Sequence, residues 1–145
     1  MNIFESLRQD HEIQRDLLKK LVSTTGDSKY RDNFFNKLKH ELHIHADGEE
    51  RFFYVPLIKD QLTQEKARHS IAEHHEIDKL IEQLEELEYN NPVWLKTAKK
   101  LQEEVEHHLD EEEHEVFQLA GKVLTEQSKK QLAKEYLNFI DSQRK

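Results

Sequence analysis

The segment His45-Ala46-Asp47-Gly48-Glu49-Glu50 has a counterpart 63 residues later, His108-Leu109-Asp110-Glu111-Glu112-Glu113. In both segments a histidine is followed by a glutamate four residues later and by a second glutamate at the next position. The same shift places His11 on His74, and no gap is needed anywhere. It also aligns apolar positions: Leu17 with Leu80, Leu18 with Ile81, Leu21 with Leu84, Leu38 with Leu101 and Leu42 with Val105. The chain therefore consists of two related halves.

Apolar residues recur at helical spacing throughout both halves. Few residues interrupt the helices, because the 145-residue chain has only three glycines and two prolines. The pattern predicts helices over about residues 2–24, 29–54, 64–88 and 92–120, and a fifth amphipathic helix over about 125–142. We therefore expect an all-α fold in one domain of residues 1–145: an up-down four-helix bundle (about 2–120) with an additional C-terminal helix.

Short polar segments and single residues predict where the helices begin and end. Residues 25–28, a Thr-Gly-Asp-Ser turn, supply an N-cap for the second helix. Thr63 is predicted to cap the third helix and Asn91 the fourth. Pro56 is expected to end or kink the second helix, and Gly121 to end the fourth.

The composition excludes several classes of protein. With no cysteine, the chain has no disulfide, thiolate zinc site, iron–sulfur cluster or cysteine nucleophile. No apolar run approaches the ~18–20 residues of a membrane span, and the first residues lack the basic and apolar regions of a signal peptide, so we expect a cytoplasmic protein. The net charge of −8 argues against binding to nucleic acid or to anionic membranes. The oligomeric state stays open.

A rotation of about 100° per residue places one histidine of each bundle helix on the apolar face. Glutamates follow two of these histidines one turn later. The set is His11, His45 with Glu49, His74, and His108 with Glu112. Four other histidines face away and are expected at the surface: His40, His43, His69 and His114. His75 and His107 lie only about 100° from the apolar face and stay secondary candidates.

Two carboxylates and four imidazoles inside a bundle are a ligand set for a pair of metal ions. A buried glutamate is costly unless it is paired or bound to metal, and carboxylates can bridge two ions while neutral imidazoles complete their coordination. Nitrogen and oxygen ligands without sulfur suit iron or manganese, and zinc less distinctively. A core histidine hydrogen-bonded to glutamate is the alternative for any one pair, but it does not explain two pairs plus two further histidines.

The acidic run at residues 110–115 leaves the second carboxylate partly open. Glu111 and Glu115 also lie near the face of His108, whereas the repeat selects Glu112. By the same reasoning the glutamates that follow the two candidates, Glu50 and Glu113, are expected on the solvated surface. Tyr54 falls about 180° from His45 around the helix, so no tyrosine is placed as a proton donor.

Taken in order, four motifs resemble the hemerythrin-like (HHE cation-binding) domain family. They are Asp10-His11-Glu12, then His45 to Glu50 followed by Phe52-Phe53-Tyr54 and Pro56, then Glu73-His74-His75-Glu76-Ile77, and His108 to Glu113 followed by Val116-Phe117. The resemblance covers about residues 3–120 and implies a four-helix bundle that holds a non-haem di-iron centre. The implied metal ligands are His11, His45, Glu49, His74, His108 and Glu112, with both glutamates bridging two iron ions. Manganese and zinc remain the alternative ions.

The sequence differs from the oxygen-carrying members of that family. Those have five histidines, with a His-x-x-x-His pair on the third helix, whereas no histidine stands four residues from His74. A fifth histidine ligand would have to be His75, His107 or another residue away from the apolar face. Carriers also have His-x-x-x-x-Asp on the fourth helix, a spacing that Glu113 would match and Glu112 does not. The pattern is more similar to four-histidine, two-glutamate members, including those linked to nitric-oxide stress and the repair of iron centres.

We therefore expect a di-iron protein that binds or reacts with O₂, NO or peroxide in sensing, storage, detoxification or iron handling. Binding is favoured over catalysis, although redox chemistry at the ions would allow either. The alternative is a helical signalling or partner-binding bundle without redox chemistry, either metal-free or stabilised by zinc. A phosphotransfer module needs an exposed histidine such as His40 or His69, and this would leave the four apolar-face histidines unexplained.

Overall fold

A computed structural model describes all residues, 1–145, as helices joined by short turns. In chain order the helices are α1 (Ile3–Val22), α2 (Lys29–Gly48), α3 (Tyr54–Ile58), α4 (Gln64–Glu86), α5 (Pro92–Glu111), α6 (Phe117–Val123) and α7 (Glu126–Arg144). Two π-helical turns, Glu49–Phe53 and Glu112–Val116, join α2 to α3 and α5 to α6 without a break. The predicted all-helical bundle with a further C-terminal helix is confirmed.

Side-chain caps fix where four of the long helices begin. Asn2 and Glu5 form a reciprocal capping box at the start of α1. The side chains of Ser28, Asn91 and Thr125 accept hydrogen bonds from the backbone at the starts of α2, α5 and α7. Each cap satisfies a backbone N–H that has no partner within its helix. The predicted caps at Ser28 and Asn91 are thus confirmed.

Thr63 occupies the predicted N-cap position of α4, but its hydroxyl donates to the carbonyl of Leu57 at 2.6 Å and makes no cap bond to the helix. The predictions for Pro56 and Gly121 were wrong. Pro56 lies within α3, which continues to Ile58. Gly121 lies inside α6, which continues to Val123; a glycine costs a helix only about 1 kcal/mol, so it does not by itself end one.

The 63-residue repeat is visible in the fold. Helices α1 and α2 pack together in the first half, as α4 and α5 do in the second. The two π turns begin at Glu49 and Glu112, which the repeat aligns. Only the first half is covered further: α7 packs against α1, α2 and the first π turn. The halves are therefore similar within the bundle and different on their outer surfaces.

A layer of polar side chains separates two apolar clusters in the interior. Toward one end the core includes Leu18, Leu38, Leu84, Trp94 and Leu101. Toward the other it includes Leu7, Phe53, Tyr54, Phe117 and Ile140. No helix combines the length and apolar character needed to cross a bilayer. The buried polar layer therefore contains the side chains to consider for a function.

Candidate metal centre

All six predicted site residues lie in the buried polar layer, each from a different turn of the bundle helices. None is more than 6% exposed: His11 0%, His45 3%, Glu49 0%, His74 6%, His108 2% and Glu112 0%. Helices α1, α2, α4 and α5 each supply one histidine, and the two π turns supply the glutamates. Helical spacing within the repeat therefore brings the whole set together.

The two glutamates are the first residues of the two π turns. A π turn places an additional residue in one helical turn and changes the phase of the residues that follow. Such turns occur frequently at functional sites. Here the phase change occurs at Glu49 and again at Glu112, so the residues after each glutamate do not follow the 100° rotation assumed from the sequence.

The histidine nitrogens surround the two carboxylates at short range. Nε2 of His11 lies 3.0 Å from Oε1 of Glu112, and Nε2 of His108 lies 3.7 Å from Oε2 of the same residue. Nε2 of His45 and Nε2 of His74 each lie 3.2 Å from Oε1 of Glu49. These contacts arrange the imidazoles around a pair of central carboxylates.

Two groups of four ligands share both glutamates. One contains His11 and His45 with Glu49 and Glu112, and the other contains His74 and His108 with the same glutamates. In each group the four ligand atoms lie within 4.8 Å of one another. Each group therefore offers nitrogen and oxygen donors that could hold a metal ion.

Seven buried polar atoms of these six residues have no hydrogen-bond partner. They are Nε2 of all four histidines, both side-chain oxygens of Glu49, and Oε1 of Glu112. Buried polar groups are almost always hydrogen-bonded, and leaving one unpaired costs ~1–3 kcal/mol. Seven nitrogen and oxygen ligand atoms that converge on one region without a well-formed hydrogen bond fit metal coordination.

The other ring nitrogen, Nδ1, of each histidine has a hydrogen-bond acceptor. His11 donates to Glu113 at 2.5 Å and His74 to Glu50 at 2.7 Å. His108 donates to Glu73 at 2.8 Å. A carboxylate can only accept, so these bonds place the proton on Nδ1 and leave Nε2 free to bind a metal.

The fourth histidine reaches its acceptor through the C-terminal helix. His45 Nδ1 donates to the hydroxyl of Tyr136 at 2.6 Å, and that hydroxyl donates to Asp10 at 2.5 Å. Arg144 donates to the other oxygen of Asp10 at 2.9 Å and also binds Glu41. Two residues of α7 thus orient a candidate ligand in the bundle.

The outer partners follow the same repeat as the ligands. Glu50 and Glu113 occupy equivalent positions, as do Asp10 and Glu73. Sequence reasoning aligned the first pair but placed both residues in solvent, which was wrong for Glu113, whose side chain is 15% exposed. Glu50 is 38% exposed, as expected for a surface residue, but it also binds a buried histidine. Their alignment with the ligands was the signal that could have identified them.

Tyr54 lies at the centre, contrary to the expectation that it faces away from His45. It is fully buried, and its hydroxyl donates to Oε2 of Glu112. The first π turn lies between His45 and Tyr54 and changes the helical phase, which explains the error. The equivalent residue in the second half is Phe117, which has no hydroxyl and stacks on the ring of His11. The two central carboxylates therefore have different surroundings.

The charges at the centre compensate one another in the metal-free protein. Burial opposes protonation of His45, but Glu49, Asp10 and Glu112 together outweigh it and raise the pKa of His45 to about 10. A similar balance with Glu49 and Glu50 raises the pKa of His74 to about 9. Burial and the charge of Glu49 raise the pKa of Glu112. Protons on the histidines thus occupy the place that cations would take.

The remaining histidines all lie at the surface. They are His40, His43, His69, His75, His107 and His114. His75 and His107, the secondary candidates for a fifth ligand, are not brought to the centre. Among the alternatives to Glu112, Glu115 is exposed and Glu111 lies at the surface between His69 and His107.

A small cavity lies beside the centre. It has a volume of about 10 Å³ and is lined by polar and apolar side chains, including Gln14, His45, His74, Ile77 and His108. A cavity of this size holds about one water-sized molecule. Gln14 is 1% exposed, and its amide nitrogen is the one other buried side-chain atom without a partner. Sequence reasoning did not identify Gln14.

Comparisons with known proteins identify the family and the fold. Residues 2–120 match the family model of the hemerythrin HHE cation binding domain. A crystal structure described as a hemerythrin HHE cation binding domain-containing protein from Mycobacterium kansasii aligns with a TM-score of 0.90 at 22% identity, over 99% of this chain and 88% of that chain. A DNA nickase from Nostoc sp. is 24% identical over 94% of this chain, which spans 38% of the length of that relative.

Proposed function

Because the chain belongs to the hemerythrin HHE cation-binding domain family, we propose that it holds two iron ions and binds or reacts with a small ligand such as O₂, NO or peroxide. The proposed ligands are His11, His45, Glu49, His74, His108 and Glu112. The observation that carries the proposal is the set of seven buried, unpartnered ligand atoms on these residues. Manganese and zinc are the alternative ions for this donor set.

The sharing of carboxylates supports two ions. Each group of four ligands contains two histidines and both glutamates. Two divalent ions carry four positive charges, and the two central carboxylates balance half of them. Glu50, Glu73 and Glu113, which accept hydrogen bonds from histidine ligands, lie just outside and offset part of the rest.

Iron bound there would supply a reversible change of oxidation state and a position for a small ligand. The chain's own residues would limit what reaches that position. The adjoining cavity of about 10 Å³ admits a molecule of about water size and excludes larger substrates. Leu42, Ile77 and Val105 line it and keep bulk water out, while the amide of Gln14 offers a hydrogen-bond donor.

Tyr54 is placed to hold a proton at the centre. Its hydroxyl donates to Glu112, and burial together with the charge of Glu112 raises its pKa, so the phenol stays protonated. The bond orients one oxygen of Glu112 and leaves the other unpartnered. Tyr54 would thus distinguish the two carboxylates. We expect binding or sensing rather than turnover as the main activity.

We further propose that residues 1–145 act as one domain in the cytoplasm and do not bind nucleic acid. The C-terminal helix supplies Tyr136 and Arg144 to the centre, which favours a single unit. The net charge of −8 opposes binding to a polyanion. The relative from Nostoc sp. is described as a DNA nickase, so a gel-shift assay on duplex DNA with and without metal is the direct check, and retention of DNA at physiological salt would contradict this part.

Metal analysis and absorption spectroscopy test the main proposal. Protein purified after aerobic, iron-replete expression should contain about two irons per chain and show absorption bands that change on reduction. His45→Ala and His108→Ala should each lose iron, whereas His40→Ala, which removes an exposed histidine, should retain it. A colourless wild-type protein without iron would contradict the proposal. A redox-silent protein containing zinc would favour the alternative of a metal-stabilised partner-binding bundle.

A further inference from the structure

A second group of metal-ligating side chains lies at the surface outside His108. His69 and Glu73 of α4 meet His107 and Glu111 of α5. Nε2 of His69 lies 3.3 Å from an oxygen of each glutamate. Nε2 of His107 lies 3.2 Å from Glu111 and 3.7 Å from Glu73. Ligand atoms of His69, Glu73 and Glu111 therefore all lie within 4.8 Å of one another, and His107 contacts both glutamates beside them.

The separations match the edges of a tetrahedral metal site. Nitrogen and oxygen ligands ~2.0–2.2 Å from zinc lie about 3.4 Å apart in a tetrahedron. Hydrogen bonds between charged groups are shorter, about 2.7–2.9 Å, as the 2.8 Å bond from His108 to Glu73 shows. The distances of 3.2–3.3 Å at His69 and between His107 and Glu111 are therefore compatible with coordination of a common ion, although surface ion pairs such as Lys66–Glu115 have the same length.

The carboxylates of this group have no cationic partner except histidines. Glu73 is 9% and Glu111 14% exposed, so both are shielded from water. Neither forms an ion pair with lysine or arginine, although such pairs are common elsewhere on the surface, for example between Lys66 and Glu115. A bound cation would compensate two shielded carboxylates that the chain itself leaves unbalanced.

The repeat changes at three of these four positions and keeps a carboxylate at the fourth. In the first half the equivalent residues are Ser6, Asp10, Ile44 and Gly48. All four are buried, and α7 covers that half of the bundle. In the second half, which α7 does not cover, the same four positions carry His, Glu, His and Glu. The ligand set is thus a feature of the uncovered half and not a by-product of the duplicated sequence.

We propose that His69, Glu73, His107 and Glu111 form a separate site for one divalent transition-metal ion, with zinc as the ion that two imidazoles and two carboxylates suit. Glu73 connects this site to the buried centre, because one of its oxygens accepts from His108 while the other faces the surface histidines. The site stands independently of the identity of the ions inside the bundle.

Zinc titration of the iron-loaded protein tests the site. One zinc per chain should bind and survive gel filtration while the iron content stays unchanged. The double variant His69→Ala/His107→Ala removes two ligands. Since losing an outer partner of a ligand already costs 10–100-fold in affinity, this variant should bind zinc at least about 100-fold more weakly and keep its iron.

The matched control is His75→Ala/His114→Ala, which removes two exposed histidines elsewhere. It should bind zinc like the wild type. Glu111→Gln keeps the side-chain shape, removes the charge and should also weaken binding. Equal zinc binding by the His69/His107 variant and the wild type would overturn the proposal, as would the absence of an additional zinc in the wild type. Because iron and zinc are counted separately, this outcome is distinct from a failure of the iron proposal.

Discussion

The hydroxyl of Tyr136 accepts a hydrogen bond from Nδ1 of His45 at 2.6 Å, although the two residues are 91 positions apart and lie on different layers of the fold. The same hydroxyl donates to Asp10. Through this pair, a helix outside the four-helix bundle sets which nitrogen of His45 carries the proton and which nitrogen faces the two carboxylates. The C-terminal helix is therefore a part of the centre, and its sequence is expected to affect metal binding.

Tyr136→Phe removes the acceptor of His45 and the donor of Asp10 without changing the ring. Outer partners of metal ligands are worth about 10–100-fold in affinity, so iron should bind more weakly by about this factor. Competition with a chelator of known affinity measures it. Tyr30→Phe is the control, because Tyr30 is exposed and should change nothing. Equal affinities of Tyr136→Phe and the wild type would show that α7 only covers the bundle.

Gly48→Ala should push α7 away from the bundle. A Cβ at this position would lie 2.7 Å from Cε1 of Tyr136 and 3.3 Å from Phe139, which is too close for either ring. Overpacking of this kind costs ~1–3 kcal/mol. Urea unfolding should therefore show a lower free energy of unfolding, with weaker metal binding because Tyr136 moves. Gly121→Ala is the matched substitution: it meets no atom within 4 Å and should stabilise α6 by ~0.5–1 kcal/mol.

Metal binding at pH 8 should release about two protons per chain. His45 and His74 have pKa values of about 10 and 9 in the metal-free protein, so both are protonated at this pH and must lose a proton to bind an ion. Affinity should rise with pH up to that range. Calorimetry in buffers of different ionisation enthalpy counts the protons. Binding without proton release would contradict the assignment of these two residues as ligands.

The metal-free protein should be most stable between about pH 4.5 and 6.5. Hydrogen bonds to His45 and Tyr136 outweigh burial and lower the pKa of Asp10 from 3.8 to about 2, so its contribution is present above pH 3.8 and is lost as pH falls through 2. His11 and Arg15 likewise lower the pKa of Glu113 from 4.5 to about 2. On the alkaline side, the pKa of His45 is raised, so its contribution is complete below pH 6.5 and is lost as pH rises toward 10.

Urea midpoints of chelator-treated protein, measured across this range, check the expected maximum. Asp10→Asn should reduce the fall of the urea midpoint at acid pH, because it removes a group whose pKa falls on folding. His40→Ala should leave the midpoints unchanged on both the acid and the alkaline side. A stability that rises steadily from pH 6.5 to 10 would contradict the proposed charge balance at the centre.

Gln14→Leu should weaken binding of the small ligand and leave iron in place. Loss of one hydrogen bond of ~0.5–1.5 kcal/mol corresponds to an affinity change of about two- to tenfold. Nitric oxide binding to the reduced protein measures it. The free energy of unfolding should stay equal or increase, because the substitution removes a buried donor that has no partner. Gln9→Leu, on the exposed side of α1, is the control. Unchanged ligand affinity in Gln14→Leu would remove this residue from the proposed pocket.

Periodicity and the repeat predicted most of the bundle because they report which residues face a helical interior. The four buried histidines share their helix faces with the buried apolar residues Leu7, Leu38, Ile77 and Val105. The 63-residue register even aligned the two glutamates that begin the π turns. The helix boundaries were less accurate, because packing carries α3 beyond Pro56 and α6 beyond Gly121.

Residues whose roles depend on tertiary contacts were missed. The position of Tyr54 depends on the phase change at the π turn, for which the sequence carries no periodic signal. Tyr136 lies in the predicted fifth helix, but its role depends on hydrogen-bond partners that lie on α1 and α2. Gln14 reads as an ordinary helix residue until the cavity beside it is visible.

The sharing of both carboxylates has a mechanical consequence. Each half of the chain supplies two histidines but only one of the glutamates, so an ion in either group connects residues from both halves. An ion bound by His11 and Glu112 would close a loop of about 100 residues, for which the chain-entropy model of a cross-link gives ~4.7 kcal/mol. The two hairpins of the loaded protein could not separate without breaking coordination bonds. Its unfolding rate should therefore be governed by ion release, and a chelator should act on it as a reductant acts on a disulfide-bonded domain.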